Sequence, residues 1–309
     1  MKSLIGEQLM YASYFAPRGR NRMYILGEQL GERYLSPLDR LIGIIGDAGA
    51  GKSSLVKGMF PGLELTNDDD GVNIRPLPLL KNVDKGFFSS HTYHVDIRFE
   101  MAFTQLHVLA EAVQKALAHG KRVIVEHFDL LYPLLERNAD VLIGVGGEVI
   151  VVRPTVFGPF PKEIFNVVTK TLRYRKMAHT AEDLTTRVLV NDYGAILEFG
   201  HRDVHHGFVL EYPMLLDVDL REVEKKVKAI IAEGLDVCYS DEGHIRIGSD
   251  IWVCSGPRTH VRNTQEIEGF RLLHEYKYDP KSKTYLIIGV VGPHTDNLDG
   301  FAGFCLATT

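Results

Sequence analysis

Gly46, Lys52 and Ser53 stand at the fixed positions of a G-x-x-x-x-G-K-[ST] spacing, within IGIIGDAGAGKSSLV at residues 42–56. That spacing serves phosphate chemistry. Glycines at 46, 49 and 51 let the backbone wrap with its N–H groups inward, where a side chain would block a phosphate. A lysine next to the loop neutralises β- and γ-phosphates, and the following serine hydroxyl holds Mg²⁺. Gly46, Asp47, Ala48, Gly49, Ala50, Gly51, Lys52, Ser53 and Ser54 are therefore the expected cradle for ATP or another nucleoside triphosphate with Mg²⁺. The alternative is a glycine-rich turn with a chance lysine. The flanking text weighs against it, because Leu41–Ile45 reads as a buried strand and Ser54–Lys57 as a helix opening.

The elements that must position this loop follow in alternation. Residues 99–118 carry helical spacing of Ala, Leu and Val and stop at Gly120. Val123–Val125 reads as a buried parallel strand that ends in Glu126, and residues 141–145 and 148–152 as further strands. Alternating strands and helices imply an α/β domain, an open parallel sheet flanked by helices with ligand chemistry at the strand ends. Glu126 at such an end is the candidate to orient Mg²⁺ or its water, with Asp129 as the fallback; it is alternatively a plain surface carboxylate. GEQLGERYLSPLDR, ahead of the loop, reads as a helix packed on the sheet. His91 and His94 in HTYHVD have ligand-like spacing but no third partner, which favours a surface or substrate contact over a metal.

With the loop, TNDDDGVNIRP (66–76) and VIVEHFDLL together resemble the uridine kinase and phosphoribulokinase group of small P-loop kinases, over residues 40–152. The resemblance implies an acidic residue of the 68–70 run, Asp69, beside the acceptor hydroxyl, with Lys52 and Glu126 as its catalytic companions. His127 stands where that group has glycine, and the aspartate run reads equally as a solvated turn.

Past residue 165 the text changes, which divides the chain into an expected nucleotide domain (1–165) and a second domain (166–309). DLREVEKKVKAIIAEG (219–234) is an amphipathic helix with an apolar stripe of Leu220, Val223, Val227, Ile230 and Ile231, ended by Gly234. Residues 165–190 read as one or two helices with a basic cluster of Lys170, Arg173, Arg175 and Lys176. Residues 195–199, 207–212, 251–254 and 285–291 read as strands, giving an α+β domain with antiparallel pairing.

CSGPRTHVRNTQEIEGFRLL (254–273) and HTAEDL (179–184), joined by the 219–234 helix, resemble the second additional, or editing, domain of alanyl-tRNA synthetase, of the alanyl/threonyl-tRNA synthetase editing type. The resemblance covers residues 175–309 and implies recognition of an aminoacyl group, with tRNA as a possible partner. It also implies a Zn²⁺ site at His179, Asp183, Cys254 and His260. Position 183 is Asp where that family has a second His, Pro257 and Arg258 lengthen the Cys-to-His spacing, and Gln265 replaces a glycine. Residues i and i+4 share a helix face, Asp is a legitimate ligand, and thiolate plus imidazole suit Zn²⁺. The same four residues are equally a decayed centre with Cys254 a core thiol. Thr264, Glu266 and Ile267 match the family or form a structural turn, and His201, His205 and His206 contact phosphate or solvate a loop.

Composition sets outer bounds. The 309 residues carry 45% hydrophobic and 24% charged side chains, ordinary for a globular protein. A net charge of −5 opposes non-specific coating of nucleic acid. The 3 cysteines make no disulfide framework, so a reducing cytoplasm is expected. Neither a signal-peptide core nor an apolar run of about 18 residues is present, and no membrane partner is expected. Three functions fit. One is an NTPase or small-molecule kinase coupled to an aminoacyl-recognising domain, with or without zinc, acting on a small hydroxyl- or aminoacyl-bearing substrate. Another is a trans-editing aminoacyl-tRNA deacylase with an accessory nucleotide domain, and the last a non-catalytic, nucleotide-switched sensor. The oligomeric state is open.

Overall fold

The computed structural model describes residues 11–66, 77–196 and 199–293. The chain divides into two compact units: residues 1–14 with 20–170, and residues 15–19 with 171–309.

In the first unit, strand β1 (Tyr11–Phe15, to Tyr14 in this unit) and helix α1 (Arg20–Tyr34) precede strand β2 (Leu41–Ile45). Helix α2 (Lys52–Met59), helix α3 (Pro78–Lys85), strand β3 (Thr92–Asp96), helix α4 (Ile97–Glu100) and helix α5 (Leu106–Ala118) follow. Strand β4 (Arg122–Glu126), helix α6 (Phe128–Leu135), strand β5 (Val141–Val145) and strand β6 (Glu148–Val152) complete it, with the start of helix α7 (Pro161–Tyr193). The 6-stranded sheet has the order β1-β6-β5-β2-β4-β3. β3, β4, β2 and β5 run parallel. β2 is buried at every position, as its uninterrupted apolar run requires of a strand covered on both faces.

Three expectations change here. β6 is antiparallel to β5, because Gly146-Gly147 is too short for a crossover and permits only a hairpin. The helix expected over 99–118 is two: Asp96 caps the single turn α4, and α5 restarts after Gln105. α1 packs chiefly on α2. There Gly27 and Gly58 bring the two backbones so close that a Cβ at Gly58 would stand 2.0 Å from Tyr24 O.

The second unit takes α7 from Thr171 onward, then strands β7 (Gly200–Val204) and β8 (Gly207–Tyr212) and helix α8 (Leu220–Glu233). Strands β9 (Val237–Asp241), β10 (His244–Ile247) and β11 (Asp250–Val253) form a 3-stranded antiparallel meander. Strands β12 (Arg271–Leu272), β13 (Lys277–Asp279) and β14 (Thr284–Val290) join β8 and β7 in a 5-stranded antiparallel sheet. Its core gathers Met177, Leu184 and Val188 of α7, Val223 and Val227 of α8, and Phe208, Leu210 and Ile287 of the sheet. α8 begins with Asp219 accepting from Arg221 N–H and ends with Gly234 left-handed at φ 71°, so both ends read from sequence are the ends observed. Of the strand expected at 195–199, residues 197–198 lie outside the described residues, and 195, 196 and 199 are not in a strand; β7 starts at Gly200. Among the described residues no helix is long and apolar enough to cross a membrane.

Candidate functional site

In the first unit, the parallel strands deliver their C-terminal ends to one edge of the sheet. β2 leads into Gly46, β4 ends at Glu126, and β3 ends at Asp96, which is paired in register with Glu126. Gly46, Gly49 and Gly51 have φ of 154°, 77° and 98°. A Cβ at Gly46 would meet Val145 O at 2.4 Å, so the loop needs glycine there sterically as well as conformationally. Gly51 is the left-handed residue before α2, with no side-chain cap on the helix's first N–H groups. Ala50 N–H bonds Asp47 O at 3.3 Å, and Ala48 N–H bonds Asp47 Oδ1 at 2.8 Å, folding the loop on itself. Ser54, the third residue of α2, is half-buried.

Lys52 is buried and donates from Nζ to Asp47 O at 3.0 Å. Ser53 Oγ donates to Glu126 Oε1 at 3.1 Å, and His94 Nε2 lies 3.2 Å from the same oxygen. His94 Nδ1 accepts from Thr66 N–H at 3.2 Å, which puts the ring proton on Nε2, donated to Glu126. Burial alone would raise the Glu126 pKa; the His94 hydrogen bond, Lys52 and Ser53 outweigh it and hold the carboxyl below its ordinary range. His127, left-handed at φ 56°, is pushed down to about 4 by burial and by Lys52, and is neutral near pH 7. Asp129 moves the other way, raised by burial. Arg98 reaches the loop from α4, with Nη1 3.1 Å from Asp47 Oδ1.

Lys52, Ser53 and Glu126 are thus brought together, whereas Asp69 and the 68–70 run lie outside the described residues. Sequence reasoning missed Asp96 and set His94 aside. The positional logic applied to Glu126, an acidic residue closing a buried strand, applies equally to HVD at 94–96.

In the second unit, α7 presents His179, Glu182 and Asp183 one turn apart, all buried, and the segment after β11 presents buried Cys254 and His260. Asp183, Cys254 and His260 place one ligand atom each within 4.8 Å of one another; His179 is not of this group. His179 Nδ1 has no hydrogen-bond partner, and burial, with Arg18 and Arg175 nearby, drives its pKa well below normal. His260 Nε2 donates to Asp183 Oδ2 at 2.8 Å and lies 3.7 Å from Cys254 Sγ, while Nδ1 faces Pro257 O at 3.3 Å. Burial would depress His260, but Asp183 and Cys254 raise it to about 9, so both ring nitrogens donate.

The unforeseen member is Arg18. Its buried guanidinium donates through Nη1 to Glu182 Oε2 at 2.5 Å, and through Nη2 to Asp183 Oδ1 and to Cys254 Sγ, the latter at 3.1 Å. Its backbone N–H bonds Asp203 Oδ1 at 3.1 Å, and Arg175 Nη2 holds Pro17 O at 2.8 Å. Zn²⁺ bonded to Cys254 and Asp183, at about 2.3 and 2.0 Å from sulfur and oxygen, would have to take the place of Nη2. With His179 apart, His260 donating from both nitrogens and a guanidinium between the remaining donors, the residues present do not fit a tetrahedral zinc centre.

The remaining second-unit residues singled out from sequence fall as follows. Arg175 is turned inward and Arg173 pairs with Glu268, which splits the expected basic cluster. His201 pairs with Glu182, and His205 and His206 stack at 3.9 Å between centroids. Thr264–Glu266 is a single 3-10 turn closed by an Asn263–Glu266 capping box, and Gln265 donates to Ala232 O at 3.1 Å, a structural role. No protein-family model matches the chain, and no curated protein sequence matches it.

Proposed function

We propose that the first unit binds a nucleoside triphosphate with Mg²⁺ and hydrolyses it or passes its γ-phosphoryl group to a small hydroxyl-bearing acceptor, as its resemblance to small P-loop kinases implies. The observation that carries this is the Ser53–Glu126 pair at the mouth of a glycine-strained loop opening a helix. Backbone N–H groups of residues 46–53 would take phosphate oxygens, and Lys52 would leave the Asp47 carbonyl for the β/γ-phosphates. Bound Mg²⁺ would supply charge neutralisation beside Ser53 and Glu126. Glu126, kept ionised by His94, would orient the attacking water or hydroxyl, and buried His127 would remain neutral beside it. The second unit, an α+β fold whose motifs resemble an editing domain, would recognise an aminoacyl-type group without metal chemistry. That weighs against the deacylase alternative, because Arg18 fills the centre such a reaction would use.

Binding of a fluorescent ATP analogue with Mg²⁺ tests the reading. Lys52→Ala should weaken it about 10- to 100-fold, the worth of about 1.5–3 kcal/mol for a charge-assisted hydrogen bond. Wild-type protein that binds no nucleotide at millimolar concentration would sink the proposal.

A further inference from the structure

We propose that Arg18 is the resident cation of the buried centre in the second unit, and that while it is seated the Asp183–Cys254–His260 group takes no divalent metal. A cluster of Asp, Cys and His side chains on a helix face and a loop would ordinarily invite a metal. Here the carboxylate oxygens and the thiol sulfur already receive donors from the chain, and the imidazole of His260 is itself engaged as a donor. Nη2 of Arg18 bonds Asp183 Oδ1 and Cys254 Sγ. Nε2 of His260 bonds the other Asp183 oxygen, and Gly256 N–H bonds Cys254 Sγ at 3.3 Å. Nη1 adds Glu182, a buried carboxylate that the metal reading never involved.

The fit around the arginine is built, not incidental. The segment Phe15–Gly19 belongs to the second unit although it is separated from the rest of it by some 150 residues of chain. It is tied by Arg18 N–H to Asp203 and by Pro17 O to Arg175. Two glycines make room for it: a Cβ at Gly19 would stand 3.0 Å from Ser255 O, and one at Gly256 would stand 3.2 Å from Arg18 Cγ. Arg is suited to the task because its planar fork spans two carboxylates and keeps its charge when buried, which a lysine ammonium does less readily. Removing the guanidinium would take one charged donor from each of Glu182, Asp183 and Cys254, which stay buried, and a divalent ion is the available replacement.

The test is zinc and cobalt titration of the full chain without nucleotide, beside Arg18→Met, Arg18→Ala and the double variant Arg18→Met/Cys254→Ala. Wild-type protein purified without chelator should carry far less than one zinc per chain and give no thiolate-to-cobalt absorption band. Arg18→Met or Arg18→Ala should gain zinc affinity by at least about a hundredfold, as expected for a buried anion cluster that has lost its guanidinium. The gain should vanish in the double variant. A stoichiometric zinc in wild type that is lost in Cys254→Ala overturns the proposal. So do folded Arg18 variants whose zinc affinity is unchanged. If neither Arg18 variant folds, the wild-type cobalt titration decides alone: a thiolate band at micromolar cobalt refutes the assignment, and its absence up to millimolar cobalt supports it.

Discussion

Gly58→Ala should destabilise the first unit, although the same change inside an exposed helix stabilises it by about 1 kcal/mol. The sign turns on the α1–α2 contact. A Cβ on Gly58 would lie 2.0 Å from Tyr24 O, 2.9 Å from its carbonyl carbon and 3.1 Å from Glu28 N. All three are backbone atoms, so no rotamer change relieves them. Restoring an ordinary contact requires the helices to part by about 1.4 Å, disturbing buried Met23, Leu26 and Leu30 of α1 and Leu55 and Met59 of α2. Overpacking costs about 1–3 kcal/mol, and a clash with backbone belongs to the upper part of that range, about 2–3; less the helix-propensity gain of about 1, a net loss of about 1–2 kcal/mol remains. For a unit of this size that lowers Tm by about 2–8 °C. Because α2 begins at Lys52 and Ser53, the displacement should also weaken nucleotide binding severalfold. Gly31→Ala is the internal control: its nearest contact, Met59 O, is at 3.2 Å, and only a few tenths of an ångström need give. Calorimetry and nucleotide titration of the two variants decide the matter. A Tm for Gly58→Ala equal to or above both wild type and Gly31→Ala would refute the reasoning.

Two further outcomes follow from buried polar pairs. Glu126 is held below its ordinary range by His94, Lys52 and Ser53 against the opposing effect of burial. Its folded pKa is therefore below its unfolded one, and its stabilising contribution is complete above about pH 4.3 and lost as pH falls through the folded value. The urea-midpoint difference between wild type and Glu126→Gln should accordingly narrow from pH 6 to pH 3; a constant difference would break the link. Thr264 Oγ1 accepts from Leu235 N–H at 2.9 Å in a fully buried position at the end of α8. Thr264→Val should cost about 1–3 kcal/mol by orphaning that N–H, while Thr264→Ser keeps most of the stability; equal denaturation midpoints for the two would count against it.

What could be read from the sequence was local. The glycine loop of residues 46–51 announces itself because a positive φ and a close carbonyl each demand glycine at fixed offsets. α8 announces both ends because Asp219 and Gly234 do their capping within the helix's own neighbourhood. What escaped depends on distant partners. The direction of β6 was set by a two-residue connection that periodicity does not register. His94 looked like half of an incomplete ligand pair, because Glu126, its partner, is 32 residues away. Arg18 was hardest of all: Asp183 and Cys254 lie 165 and 236 residues along the chain, and APRGRNR offers three arginines with nothing to mark one as buried.

Charge balance, more than ligand identity, separates the two centres. Around Glu126 the direct partners are a serine hydroxyl and an imidazole N–H, and the Lys52 ammonium is engaged with a carbonyl rather than with the carboxylate. An added cation there meets an acid that no cation has yet bonded. Around Asp183 the carboxylate bonds a guanidinium on one oxygen and a doubly donating imidazole on the other. A dication placed about 4 Å from that guanidinium would meet a repulsion of about 8 kcal/mol at an effective dielectric of about 20, before losing any hydrogen bond. A resemblance in motif registers which residues could ligate. It does not register whether the chain has supplied its own cation from elsewhere, and for that reason the HTAEDL and CSGPRTH segments read as a metal centre while the fold closes them around Arg18.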